Sequence, residues 1–332
     1  MILRTLKSNR QINLLIVPAI AILFWLQDLI YPFPYQFYPG ENSNILFIPI
    51  NNFTENLDFV RVFISLLLII IIAALVQAIN DRYMFIRVRT KLPSILFVII
   101  ASGFTDLHTL HPVFPATIFL LFAIYSLFGT FEEKKPYSAI FNTGFFIGVG
   151  TLFYVNLIVL LPAFLIGIAI LTRENSWRKY LILLIGVFVP LFFAVSFAVI
   201  AEQIPEMLII VKQNIVTPVN HFQTNIPLHV FLGILILLTL TGSVSIMNQY
   251  DSKKISTRKY FAIFLVIFIL SLVSFIFIPV TSQEMLVIIA IPITYLISNL
   301  FVFMKSRFWS ELLFLILLGV VIFMQFSNKF IY

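Results

Sequence analysis

Apolar side chains in this chain gather in unbroken runs of about 15–22 residues, separated by short polar connectors. Continuous runs of that length suit membrane helices; barrel strands would alternate apolar and polar positions over about ten residues each. The runs fall near 12–31, 58–79, 92–106, 113–130, 180–201, 228–247, 260–279, 285–304 and 311–327. One further stretch, 139–171, is too long for a single crossing. As one helix its 33 residues would extend about 50 Å, against a hydrocarbon core of about 30 Å. Its middle reads Phe153-Tyr154-Val155-Asn156, which predicts two short helices turning there. The pattern predicts an all-α polytopic transmembrane bundle, a single integral membrane domain over 1–332 with about eleven crossings.

Charge orients these predicted elements. Short cytoplasmic loops collect Lys and Arg. With the N-terminus inside and two helices in 139–171, 18 of the 21 basic residues fall on the inner side. Only Arg61, Lys212 and Lys329 lie outside, whereas a single helix in 139–171 would invert every later connector and destroy the bias. The expected topology is N-terminus in, C-terminus out. The net charge of +7 then reports topology, and nucleic acid is not an expected partner.

Composition agrees. The chain is 61% hydrophobic and 11% charged, with mean hydropathy +1.07. A water-soluble surface needs about a quarter charged residues. There is no cysteine, which excludes disulfides, thiolate metal sites and cysteine nucleophiles. Basic Arg4, Lys7 and Arg10 precede an apolar run that reaches Tyr31 without a small-residue cleavage site, so this run reads as an uncleaved first crossing.

Candidate chemistry lies toward the outer side. All four histidines and eight of the fourteen acids fall there. The densest group is Asp106-Leu107-His108-Thr109-Leu110-His111-Pro112, between two short apolar runs. On a helical turn His108 and His111 would share a face, with Asp106 able to orient an imidazole or act as a base. A polar turn capping helix ends is the plainer alternative. Asp28, near the outer end of the first run, is a costly carboxylate to place at the hydrocarbon edge. Arg61 can clamp a lipid phosphate or pair with Asp58 one turn away.

Two outer loops are long. Residues 32–57 open with Tyr and Phe at a density suited to the headgroup level. In 202–227, Met207, Leu208, Val211 and Ile215 share one helical face, predicting a short interfacial helix that also carries Lys212. His221 follows. A metal site is not expected, because HxxH alone is weak and His221 and His229 are distant in sequence. No P-loop, dinucleotide fingerprint or HExxH is present, and no cofactor is expected. Gly144, Gly148 and Gly150 suit close helix packing.

Within 80–190, the basic loop ending in Lys91-Leu92-Pro93, the turn with Asp106 and His111-Pro112, the run Phe141-Asn142-Thr143-Gly144-Phe145-Phe146-Ile147-Gly148, and Leu161-Pro162 resemble the layout of GT-C type lipid-linked-sugar glycosyltransferases. Over its full length the chain resembles an uncharacterised family of multi-pass inner-membrane proteins of Gram-negative bacteria. The transferase resemblance implies an acid at the first outer loop, Asp28 or Glu41, and a second acid, Asp106. It implies that Arg61 or Lys212 neutralises a polyprenyl-phosphate leaving group, with membrane lipid as the surrounding partner. The first outer loop is short for such enzymes and lacks a paired Asp-Glu or Asp-Asp. A transporter or lipid flippase, and a non-catalytic subunit of an envelope complex, are the competing readings.

Overall fold

A computed structural model describes Leu3, Leu6 and residues 12–32, 37, 40–174, 176–216, 226–249, 253–278 and 284–327. Its described elements are all helical. In chain order they are α1 (Ile12–Ile30), α2 (Ile48–Thr54), α3 (Asp58–Tyr83), α4 (Leu92–Ser102), α5 (Val113–Phe128), α6 (Tyr137–Phe153), α7 (Leu161–Leu171), α8 (Trp177–Ile200), α9 (Ile204–Val216), α10 (Ile226–Asn248), α11 (Ile255–Phe277), α12 (Glu284–Phe303) and α13 (Arg307–Ser327). Single 3₁₀ segments, Thr105–Leu107 and Val155–Leu160, stand before α5 and α7.

Six of these, α3, α8 and α10 to α13, are long and apolar enough to cross a membrane. Five more apolar segments are shorter, at 10–17 residues. The 139–171 stretch is broken where its sequence turns polar. Helix α6 ends at Phe153, Tyr154 is extended, and α7 starts with Pro162 in its first turn. Proline suits that position, because the first-turn N–H groups have no intrahelical acceptor.

Lipid tails are as apolar as leucine, so close packing, rather than the hydrophobic effect, must hold such helices together. The closest pair is α6 with α8. A Cβ on Gly144 would stand 2.1 Å from the Leu183 carbonyl oxygen, and one on Gly186 would stand 2.4 Å from that of Phe141. Gly148 admits Pro190 in the same way. Burial is uneven. Helix α12 is 83% buried over its most apolar window, against 28% for α13, so α12 is the axial helix around which others pack.

Polar groups collect at the two ends of the bundle. One end brings together the α1 terminus, Phe37 and residues 40–47, the α4–α5 turn, the α6 break and the start of α12. The other carries the basic connectors, with Lys91 on Asp81 at 2.9 Å and Arg173 near Glu132 at 3.6 Å. An aromatic cluster of Tyr83, Phe85, Phe128, Tyr260, Phe264 and Tyr295 closes that second end.

Candidate functional site

The α4–α5 turn is where the chain meets its acids. Residues 108–112 are not helical, and His108 and His111 do not share a face there. Instead each imidazole goes to its own carboxylate. The reason is local. Helix α4 stops at Ser102, a 3₁₀ turn follows, and Pro112 then starts α5 afresh, so no continuous helix spans the two histidines.

His108 pairs with Asp28, Nδ1 to Oδ2 at 2.6 Å. Its Nε2 lies 3.2 Å from the Ser102 carbonyl oxygen, which also accepts from Gln325 at 2.6 Å. Each ring nitrogen therefore faces an oxygen. Trp25 stacks on the ring at 3.9 Å and 20°, and its Nε1–H donates to Ser65 Oγ at 3.0 Å. Ser65 in turn donates to the His108 carbonyl oxygen at 3.0 Å. Asp28 is 26% exposed, so the pair opens toward the surface from a buried imidazole.

His111 belongs to a different centre. Its Nε2 bonds Glu41 Oε1. Ligand atoms of Glu41, His111 and Glu284 all lie within 4.8 Å of one another. The three side chains are 3%, 0% and 1% exposed. Tyr154, buried at the α6 break, reaches Glu284 Oε1 with its hydroxyl at 3.4 Å. Asn156, two residues on, is also buried, and its Nδ2 has no hydrogen-bond partner. Four separate stretches of chain therefore converge on one buried point that holds two carboxylates, an imidazole and a phenol.

The cover over this point is built by Phe37 and residues 40–47. Gly40 adopts φ +92, a conformation that favours glycine, and a Cβ there would also stand 2.8 Å from Gln213 Cβ. Asn214 of α9 donates to the Gly40 carbonyl oxygen at 2.8 Å, and Asn44 donates to that of Glu41 at 2.8 Å. The Phe37 ring stacks on His111 at 6.0 Å, and the Arg61 guanidinium lies 5.0 Å from the centre of the same ring.

Arg61 is buried and donates to Asn51 Oδ1 at 3.0 Å, rather than forming an ion pair with Asp58. Lys212 is exposed on α9. A helix forms over the predicted stretch, but its more enclosed side is half-buried Met207, Ile210 and Val211 with buried Asn214, while Leu208 and Ile209 are exposed; the Ile215 side chain lies outside the described residues. Asp106 is half-buried on its 3₁₀ turn and is not among the groups gathered at His111. His221 lies outside the described residues.

Two carboxylates and an imidazole at this spacing have the ligands for one divalent ion. The imidazole is turned the wrong way for it. The Val113 N–H donates to His111 Nδ1 at 3.2 Å, which leaves the ring hydrogen on Nε2, aimed at Glu41. A cation would have to displace that hydrogen. As it stands, the group is built to hold and pass protons.

Glu284 and Tyr154 were not among the residues singled out from sequence. Glu284 sits alone beside an apolar run, and its partners are 130 and more residues away. The polar interruption at Tyr154-Val155-Asn156, with the candidates His111 and Glu41, is what in the sequence pointed toward this centre.

Such an arrangement defines a class: an all-helical protein with several helices able to span a membrane and a buried carboxylate–imidazole centre at one end. Residues 42–331 match a family of unknown function, DUF6427, and the chain belongs to that family. No curated protein and no solved structure matches it.

Proposed function

We propose that this chain is an inner-membrane enzyme that transfers a sugar or related group from a polyprenyl-phosphate carrier at the outer leaflet. The observation that supports the reading most is the convergence of Glu41, His111, Glu284 and Tyr154 on one buried point. Group transfer from a lipid phosphate needs a base for the incoming hydroxyl and a positive charge for the leaving phosphate. In the proposed step the acceptor oxygen bonds to the sugar carbon, and the carbon–oxygen bond to phosphate breaks. The hydroxyl proton passes to the Glu41–Glu284 carboxylates, and the electron pair leaves with the polyprenyl phosphate. Arg61, one ring away across Phe37, supplies charge at that phosphate, with exposed Lys212 on α9 as a second candidate cation.

The weight of the chemistry then moves from Asp106 to Glu41 and Glu284. Asp28 and His108 act as a positioning pair, holding the turn on which His111 is carried. Eleven crossings, an inner N-terminus and an outer C-terminus complete the reading, with the buried centre on the outer side.

The test is replacement of Glu41 and Glu284 by Gln, one at a time, in cells that depend on this copy. Loss of general base catalysis should lower transfer by about 10²–10⁴-fold, read as cell-surface glycan while protein level and thermal melting stay near wild type. Folded variants with unchanged glycan would overturn the assignment.

A second reading, a transporter or lipid flippase, is favoured by α12. Along this most buried helix, Thr294 Oγ1 and Ser298 Oγ are buried with no hydrogen-bond partner, between Glu284 at one end and Asn299 at the other. Lipid or ion movement in reconstituted vesicles, lost in Ser298→Ala, would favour it over the transferase.

A further inference from the structure

Far from the carboxylate centre, the basic end buries a cation without an acid. Lys253 is 4% exposed, and its Nζ donates to Asn299 Oδ1 at 2.9 Å. The Phe261 and Phe303 rings flank the ammonium at 5.5 and 5.4 Å. No carboxylate forms an ion pair with it among the described residues. Burial, together with repulsion from a second cation, Arg87, lowers the Lys253 ammonium to about 8. Asn299 adds a further unmet donor. Its Oδ1 faces the ammonium, and the Nδ2 of the same amide is fully buried with no hydrogen-bond partner.

The Lys253 ammonium, the Asn299 Nδ2 and the Arg87 guanidinium are all donors or positive charges. Buried donors with no acceptor are unfavourable, and a pair of cations adds repulsion. An oxyanion reverses both, because its oxygens accept from an ammonium, an amide and a guanidinium at once. Flanking aromatic rings explain how the ammonium is tolerated when the anion is absent, since each ring face attracts a cation.

We infer that Lys253, Asn299 and Arg87 form a binding site for a phosphate-class anion at the basic end of the bundle. The inference does not depend on the transferase reading, and it uses none of the residues of the carboxylate centre. The anion's chemistry is shared by a free phosphate and by the headgroup of an acidic phospholipid, and the test separates them.

Purified protein is placed in phosphatidylcholine nanodiscs, and its thermal melting is followed as inorganic phosphate is added. In a second arm the nanodiscs contain phosphatidylglycerol and no free phosphate. A shift in the first arm identifies a soluble anion, and a shift in the second alone identifies a lipid headgroup. Lys253→Met should abolish whichever shift is seen. Lys254→Met, one residue along and exposed, should keep it. Arg87 is exposed, so Arg87→Gln tests the site without disturbing the core, and it should weaken binding by about tenfold. Wild-type protein that responds in neither arm would overturn the proposal, as would Lys253→Met or Arg87→Gln responding like wild type.

Discussion

At the residue scale, the function proposed here depends on where single hydrogens sit. His111 receives the Val113 N–H on one nitrogen and so presents a hydrogen to Glu41 on the other. That tautomer predicts a protein without a stoichiometric metal at this centre. Elemental analysis of purified protein should find well under one ion per chain, and about one zinc, iron or manganese would show that the imidazole turns or loses its hydrogen on binding. Asp28 and His108 make a different prediction. Removing one partner of a buried pair strands the other, at about 3–5 kcal/mol. Asp28 is part-exposed, so water screens it and the loss from Asp28→Asn should be smaller, about 1–2 kcal/mol. Denaturation of the variant in detergent measures it.

Lys253 gives the residue-scale pH dependence. With the ammonium at about 8 in the fold, against 10.5 for a free lysine, the unfolded chain binds more protons than the native one between those values. Stability contributed by this residue therefore rises as pH increases from 8 toward 10.5, and the penalty is fully present below 8. The difference in melting temperature between wild type and Lys253→Met should shift in favour of wild type over that window. A flat difference would mean that the lysine is well hydrated.

Elements obey a coarser rule. Helices α6 and α8 touch backbone to backbone because Gly144, Gly148 and Gly186 leave room. Leucine at Gly144 would drive a side chain into the Leu183 carbonyl, and no rotamer removes a clash at Cβ. Overpacking costs about 1–3 kcal/mol, and this case belongs at the upper end because the obstacle is backbone. Gly144→Leu should lower folded yield and melting temperature, while Gly233→Leu, at a glycine with open space, should not. The glycine spacing was legible in sequence as a packing signal. Its partner helix was not, since α7 lies between α6 and α8 in the chain and every neighbouring run is equally apolar.

For the whole molecule, sidedness is the quantity to measure. The chain lacks cysteine, so single cysteines report cleanly. Exposed Asn52 and Lys212 lie toward the carboxylate end, and exposed Lys134 and Lys305 toward the basic end. Cysteine at 52 or 212 should react with a membrane-impermeant maleimide in intact cells, and cysteine at 134 or 305 only after lysis. Labelling of all four from one side would refute the bundle topology, and the reverse pattern would place the proposed centre in the cytosol.

What the sequence determined by itself was the helical class and the positions of most apolar helices, because a residue's preference for hydrocarbon is its own property and needs no neighbour. It also marked the break at Tyr154, since a polar interruption in an overlong apolar run is visible locally. Tertiary structure decided the centre. Neighbouring histidines part, His108 to Asp28 and His111 to Glu41, because the α4–α5 turn is not helical. Glu284 joins Glu41 across more than two hundred residues, and α12 becomes the axial helix although its apolar run looks like the others. Which acid meets which imidazole is set by helix packing, and uniformly apolar runs carry almost no record of which faces will touch.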